Sequence, residues 1–283
     1  MQVRYSFGSR HTKRLENIRK QRQKYPDIAK KVIDNSDIVL EVLDARFIQE
    51  TRNLEIEEKI KSSDKRIIYV LNKADLLANG RPKLSKEELS EIYPYILVSV
   101  TKRKGIKELR ERIKMEAKKV KEPIDKTLGK FSVGIIGYPN TGKSSIINIL
   151  IGKSSAPVAS QAGHTKGFQK LKLTPNIMLI DSPGVIPASE YSTVNKELIS
   201  KNAQVGGRSY NQVKYPELVI SNIIKNYPNV LEKHYKIEAN GDAEIFMEEL
   251  GRRKGFLKKG NEINEDQTAR FILKEWQEGK IKF

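Results

Sequence analysis

The chain has 283 residues, enough for one large core or two domains, and its lack of cysteine excludes disulfides and any cysteine-based zinc site. No apolar stretch approaches the roughly 18–20 residues of a membrane span. Met1-Gln-Val-Arg-Tyr-Ser-Phe7 turns polar and basic without the apolar region of a signal peptide, so a soluble cytoplasmic protein with no membrane partner is expected. Lys and Arg number 53 against 35 Asp and Glu, and the balance of 53 − 35 = +18 calls for a polyanionic partner, nucleic acid first. A high-temperature composition would raise both signs together and leave that balance near zero.

The excess is uneven. Residues 1–31 carry ten Lys and Arg against Glu16 and Asp27, and a second basic stretch runs from Lys102 to Lys130. In chain order, the apolar run 37–43 predicts a buried parallel strand that ends at Asp44-Ala45-Arg46. Leu54 to Ile60 reads as a helix, Arg66 to Leu71 as a strand, Gly80-Arg81-Pro82 as a turn, and Ser85 with Glu88 as a capping box. Tyr95 to Ser99 is a further strand; Ile106, Leu109, Ile113, Ala117 and Val120 then mark one face of an amphipathic helix closed by Pro123. After a connector at 121–130, strand 131–136 leads into helix 144–150, and Phe168–Leu173 and Ile177–Ile180 read as strands joined by a Pro175-Asn176 turn. From about residue 195 strand signals stop, and Glu217–Ile224 and Ala243–Gly251 read as helices. The expected fold class is therefore α/β with a mainly parallel sheet, followed by a helical C-terminal region. The expected domains are a basic segment at 1–30, a nucleotide-binding domain at 31–195 and a helical domain at 196–283.

Gly137-Tyr-Pro-Asn-Thr-Gly-Lys-Ser144 matches the phosphate-binding loop pattern and lies between a predicted strand and a predicted helix. Its backbone N–H groups and the helix N-terminus suit phosphate oxygens. Asn140, Thr141, Gly142, Lys143, Ser144 and Ser145 are the expected cofactor contacts, with Lys143 at the β- and γ-phosphates and Ser144 on Mg²⁺. Asp181-Ser-Pro-Gly184 follows an apolar strand; Asp181 would hold Mg²⁺ and the Gly184 N–H would sense the γ-phosphate. Between these motifs Thr165, in Gly163-His164-Thr165, is the expected switch threonine on Mg²⁺, with Thr174 and Ser160 as alternatives.

Upstream, Asn72-Lys73-Ala74-Asp75 ends a strand. The Asp75 carboxylate can accept from guanine N1–H and the exocyclic amine, a donor pair that adenine lacks. Two such charge-assisted bonds, at about 1.5–3 kcal/mol each, would favour GTP over ATP by roughly 10²–10⁴. Asn72 would support the loop, the Lys73 stem would cover a ring face, and Ser99-Val100-Thr101 would offer a backbone clamp for guanine O6. Ordinary GTPases place this motif after the phosphate loop; here it comes first.

That inverted order, with Ser99-Val-Thr101, Thr165, Asp181-Ser-Pro-Gly184, Asp44-Ala-Arg46 and Arg252-Arg-Lys-Gly255, resembles the circularly permuted GTPases of the YlqF/YawG type across nearly the whole chain. The resemblance implies maturation of the large ribosomal subunit, with its rRNA and proteins as partners, GTP/GDP and Mg²⁺ as ligands, and a monomer. It also implies a helical tail that binds RNA and is repositioned when residues 182–195 reorder. Val185 and Ile186 stand where Ras-like enzymes carry a water-orienting glutamine, so intrinsic hydrolysis should be slow. Three replacements follow: His11, nearest to the family's N-terminal histidine; His164 in the switch loop; and a K⁺ ion held by Asn140. A nucleotide-gated RNA-binding scaffold with negligible turnover is the alternative, and a P-loop ATPase or kinase is a further one that Asp75 opposes.

Overall fold

Strand formation here follows from runs of apolar and β-branched residues that have no polar face. β1 (Ile38–Asp44) is buried at every position, which requires cover on both sides of the sheet. A computed structural model describes residues 29–77, 82, 84–124, 129–152, 169–187, 190 and 195–282. The expectations for residues 1–28, including His11, for Gly80-Arg81, for Ser160, and for Gly163-His164-Thr165 lie outside these residues.

Among the described residues the sheet has six strands in the order β3-β2-β1-β4-β6-β5, where β2 is Arg66–Asn72, β3 Tyr95–Leu97, β4 Phe131–Gly137, β5 Gln169–Thr174 and β6 Ile177–Asp181. All neighbours are parallel except β5, which returns antiparallel to β6. Register aligns Asp44 with Asn72, Val42 with Gly137 and Ile135 with Asp181. The polar ends of four strands thus share the carboxyl edge, where open α/β sheets bind ligands.

Helices cover both faces. α1 (Ile48–Thr51), α2 (Leu54–Ser62) and α3 (Lys86–Glu91) lie between β1 and β3 in sequence; α4 (Ile106–Lys119) precedes β4 and α5 (Lys143–Ile151) follows it. Asn53 caps α2 by accepting from the Ile56 N–H, and α3 opens with the expected Ser85–Glu88 capping box. On one face Ile38, Leu40 and Val42 meet Leu109, Ile113 and Ala117 of α4 and Ile146, Ile147 and Leu150 of α5. On the other, Val39, Ile136 and Ile180 meet Ile56 and Ile60 of α2 and the helical turn at 29–34.

The remaining helices are α6 (Lys196–Gln204), α7 (Pro216–Asn226), α8 (Val230–Tyr235), α9 (Ala243–Lys254) and α10 (Glu265–Gln277). They enclose a separate core around the fully buried Trp276, which Phe47 and Tyr138 of the sheet region enter. Trp276 stacks on Phe47 with centroids 5.8 Å apart and donates its indole N–H to the Gln204 carbonyl at 3.0 Å. Among the described residues no helix is long and apolar enough to cross a membrane.

The sheet also buries charge. Glu41, in the middle of β1, is wholly inaccessible and accepts from the Asn53 N–H at 3.0 Å. Beside it Arg52 grips Glu57 with two bonds of 2.8 and 2.9 Å, and the Tyr69 hydroxyl donates to Glu57 at 2.8 Å. Burial first, and then the neighbouring Glu57 carboxylate, push Glu41 up from 4.5 to about 8, so it is a neutral acid at neutral pH. An acid that holds its proton more tightly when folded loses stability as pH rises from the unfolded to the folded value. Glu41→Gln, which keeps the neutral shape, should therefore gain on the native protein by about 1 kcal/mol per pH unit between pH 4.5 and about 8. Urea midpoints of both proteins at several pH values check this; a constant difference would refute it.

Candidate functional site

The phosphate loop is the turn from β4 to α5. Lys143, in the first turn of α5, is 7% exposed and folds back to donate to the carbonyls of Gly137 at 3.1 Å and Tyr138 at 2.8 Å. Burial lowers its ammonium to about 8, with the Asp181 carboxylate opposing that shift. Thr141 donates its hydroxyl to the Tyr138 carbonyl at 3.0 Å and so closes the loop on itself. Ser145 lies one residue further into α5.

Asp181 is completely buried at the end of β6, and burial pushes its carboxyl up while Lys143 acts against it. One carboxylate oxygen stands 3.5 Å from the Ser144 hydroxyl, and the other has no hydrogen-bond partner among the described residues. A buried, unsatisfied carboxylate beside a hydroxyl at the limit of bonding distance is the donor set that a hard cation with oxygen ligands uses. Ser144 and Asp181 therefore fit the Mg²⁺ expected there, which would neutralise phosphate charge when bound. Thr165, the third expected metal residue, lies outside the described residues.

Gly184 touches the phosphate loop directly. A Cβ at this position would meet the Pro139 backbone at 2.6 Å, and the next residue, Val185, donates its N–H to the Gly137 carbonyl at 3.1 Å. The Val185 side chain is 4% exposed and packs with Ile33, Ile56 and Ile136 in the core between the sheet and α2. The apolar residue that replaces the usual glutamine is thus a core residue.

The base-reading motif lies at the end of β2, one strand beyond β4 across β1. Asn72 donates from Nδ2 to the Thr141 carbonyl at 2.8 Å, while its Oδ1 is buried without a partner among the described residues. Lys73 adopts a left-handed conformation (φ 62°), and its ammonium lies 2.8 Å from Asp44. Asp75 is the middle residue of the 3₁₀ turn Ala74–Leu76 and accepts from the Ser99 hydroxyl at 2.6 Å. That bond fixes the orientation of the carboxylate and leaves it lone pairs for a donor pair on a base. Ser99 and Val100 lie just past β3, which ends at Leu97 and not at Ser99 as the sequence suggested; the Ser99–Lys104 bridge turns the chain there.

Several contacts at the site were not expected from the sequence. Ser99 serves through its hydroxyl, where only its backbone was expected. Tyr138 fills a variable position of the phosphate-loop pattern and is buried; its hydroxyl donates to the Glu190 carboxylate and lies 3.0 Å from the Asn202 amide oxygen. Glu190 pairs with Lys201 at 2.6 Å, and Asn140 donates to the Gly206 carbonyl at 2.8 Å, which leaves its amide oxygen for the K⁺ role. Nothing in local sequence marks the Tyr138 and Asn140 contacts, since they join segments more than fifty residues apart.

Two outcomes are expected from this geometry. Bound phosphate would recharge Lys143, so GDP affinity should be flat below about pH 8 and fall roughly tenfold per pH unit above it, with proton uptake on binding. Calorimetry in buffers of different ionisation enthalpy measures that uptake. Asp75→Asn should weaken GDP binding by roughly 10²-fold or more, and displacement of a fluorescent GDP would show it.

Residues 132–240 match the family described as 50S ribosome-binding GTPase. The chain is 40% identical over 259 residues to an uncharacterized GTP-binding protein of Methanocaldococcus jannaschii, covering 90% of this chain and 65% of that one. It is 37% identical over 256 residues to Nucleolar GTP-binding protein 2 of Eremothecium gossypii, covering 89% of this chain and 49% of that one. It thus spans about two thirds or less of the length of these relatives. Among solved structures, a GDP-bound YlqF superposes with a TM-score of 0.62 at 24% identity, covering 89% of this chain and 94% of the other. YlqF from T. maritima bound to GNP gives 0.60, also at 24%, over 91% and 94%. At that identity the likeness speaks for the fold. In motif order and sheet topology the chain has the circularly permuted GTPase fold seen in YlqF, with residues 132–240 similar to the 50S ribosome-binding GTPase family and most of its length similar to GTP-binding proteins.

Proposed function

We propose that the chain is a GTP-hydrolysing switch that acts in assembly of the large ribosomal subunit by binding rRNA in the cytoplasm. The observation that carries the nucleotide half of this reading is the join between the two motifs. Asn72 bonds to Thr141, so a carboxylate set for guanine after β2 and a lysine set for phosphates after β4 are joined across the intervening β1 at one edge of the sheet. Lys143 and the phosphate-loop amides would bind and orient the phosphates, Ser144, Asp181 and Thr165 would hold Mg²⁺, and Asp75 would select the base.

The switch half rests on Gly184 and Tyr138. The expected γ-phosphate sensor lies against Pro139, and Tyr138 is tied through Glu190 to Lys201 and Asn202. A change at 182–195 would therefore reach α6, and through it the helical tail proposed to bind RNA. Exposed Lys102, Arg103, Lys104, Lys107, Lys114 and Lys118 form a basic surface suited to RNA phosphates. Phe256, by contrast, is half-buried edge-on to Phe271 at 5.4 Å, which argues against a base-stacking role for it. The name of the relatives called nucleolar and the family's description as ribosome-binding support the same partner.

Val185 favours slow turnover alone, since its side chain is committed to the core. Multiple-turnover hydrolysis in KCl should rise by up to about 10³–10⁵ with purified large subunits and stay at its basal rate with small ones. No stimulation by either would favour a nucleotide-gated scaffold instead. A drop on replacing K⁺ by Na⁺ would support the assignment of Asn140.

A further inference from the structure

The guanine-reading turn is held in place by the far end of the chain. The Lys73 ammonium rests 2.8 Å from Asp44 Oδ2. Asp44 is wholly buried, and although burial alone would raise its carboxyl, first Arg46 and then Lys73 hold it well below the usual range. Arg46 encircles this carboxylate: its backbone N–H donates to Oδ1 at 3.1 Å, Nε to Oδ1 at 3.0 Å and Nη2 to Oδ2 at 2.8 Å. A further arm, Nη1, donates to the carbonyl of Trp276 at 3.1 Å, in the last turn of α10. The planar guanidinium can serve both acceptors at once because its donors form a rigid fork.

A second contact joins the same two places independently. Gly279, just past α10, has φ 73°, and a Cβ there would meet Leu76 Cδ1 at 2.6 Å. Leu76 directly follows Asp75 in the 3₁₀ turn. The end of α10 therefore touches the base-reading turn on one side through Leu76 and on the other through Arg46, Asp44 and Lys73. A buried carboxylate deprived of one cation must recruit the other more tightly or take up water. Either response moves Lys73.

We propose that Arg46 is a positioning residue for guanine-nucleotide recognition, one that makes the dwell time of bound nucleotide depend on the docking of α10. This deepens the GTP-binding reading and rests on it. Loss of the α10 contact frees the Arg46 fork, loosens Asp44 and unseats Lys73 from the ring face it covers. A partner that lifts α10 from the sheet edge thereby speeds nucleotide release without touching the nucleotide.

The test uses the full chain and three variants, Arg46→Ala, Arg46→Lys and Gly279→Ala. Release of a fluorescent GDP is followed by stopped flow, and hydrogen exchange at residues 72–77 is measured without nucleotide. Arg46→Ala should speed release roughly tenfold and raise exchange at 72–77. Arg46→Lys keeps the charge beside Asp44 but cannot span to Trp276, so its rate should fall between those two proteins. Gly279→Ala leaves Arg46 intact and should also speed release; it decides the matter if Arg46→Ala does not fold. Release within about twofold of the native rate in Arg46→Ala and Gly279→Ala, with exchange in α10 accelerated, would overturn the proposal. A native chain that binds no guanine nucleotide would overturn the GTP-binding reading itself, a result distinct from the first.

Discussion

The hydrogen bond from Asn72 Nδ2 to the Thr141 carbonyl is the point on which the site depends. A base-reading loop and a phosphate loop are useful only at the spacing of one nucleotide, and here they come from segments about seventy residues apart in reversed order. Parallel pairing of β1 with both β2 and β4 brings their ends to one edge. The Asn72 bond then fixes the separation more finely than sheet register can. Because it is buried and spends the amide nitrogen on a backbone carbonyl, it also leaves the amide oxygen without a partner among the described residues.

Two carboxylates on one strand show how the fold sorts charge. Glu41 and Asp44 are both fully buried in β1, three positions apart. Glu41 lies in mid-strand, with Glu57 beside it, and is held neutral; Asp44 lies at the strand end, faces two cations, and is held ionised. Position along the strand decides which behaviour follows. The carboxyl edge is where basic side chains and ligands gather, whereas mid-strand offers only helix surfaces and their few polar atoms.

Much of the nucleotide-binding half was legible in the sequence because buried parallel strands are unbroken apolar runs and the loops after them carry fixed glycine and lysine spacings. Strand 131–136 matches β4 to within a residue, and the Ser85–Glu88 capping box formed as read. The tail was less legible. α6 buries Ser200, Asn202 and Gln204 along with Ala203, so its inward face lacks the apolar period that marks a helix. α10 did carry a signal, with Asn264 capping onto Gln267 and Thr268, Ala269, Ile272, Leu273 and Trp276 along one stripe. The Arg52–Glu57–Tyr69 cluster and the Tyr138–Glu190 contact were invisible for a different reason. Each joins side chains that only tertiary packing brings together, and no spacing rule encodes them.

The Asp37 carboxylate, 5% exposed at the mouth of β1, accepts the Ile124 N–H at 2.8 Å on one oxygen and the Ser132 N–H at 2.7 Å on the other. These two amides flank the connector between α4 and β4, the join at which an unpermuted GTPase would have its two ends. One side chain therefore staples both sides of the seam to a strand that belongs to neither. If the chain were cut between 125 and 128, the fragments would still meet at this carboxylate. The permuted topology thus carries a non-covalent substitute for its own new peptide link, and chain order could have been rearranged here while the core stayed closed.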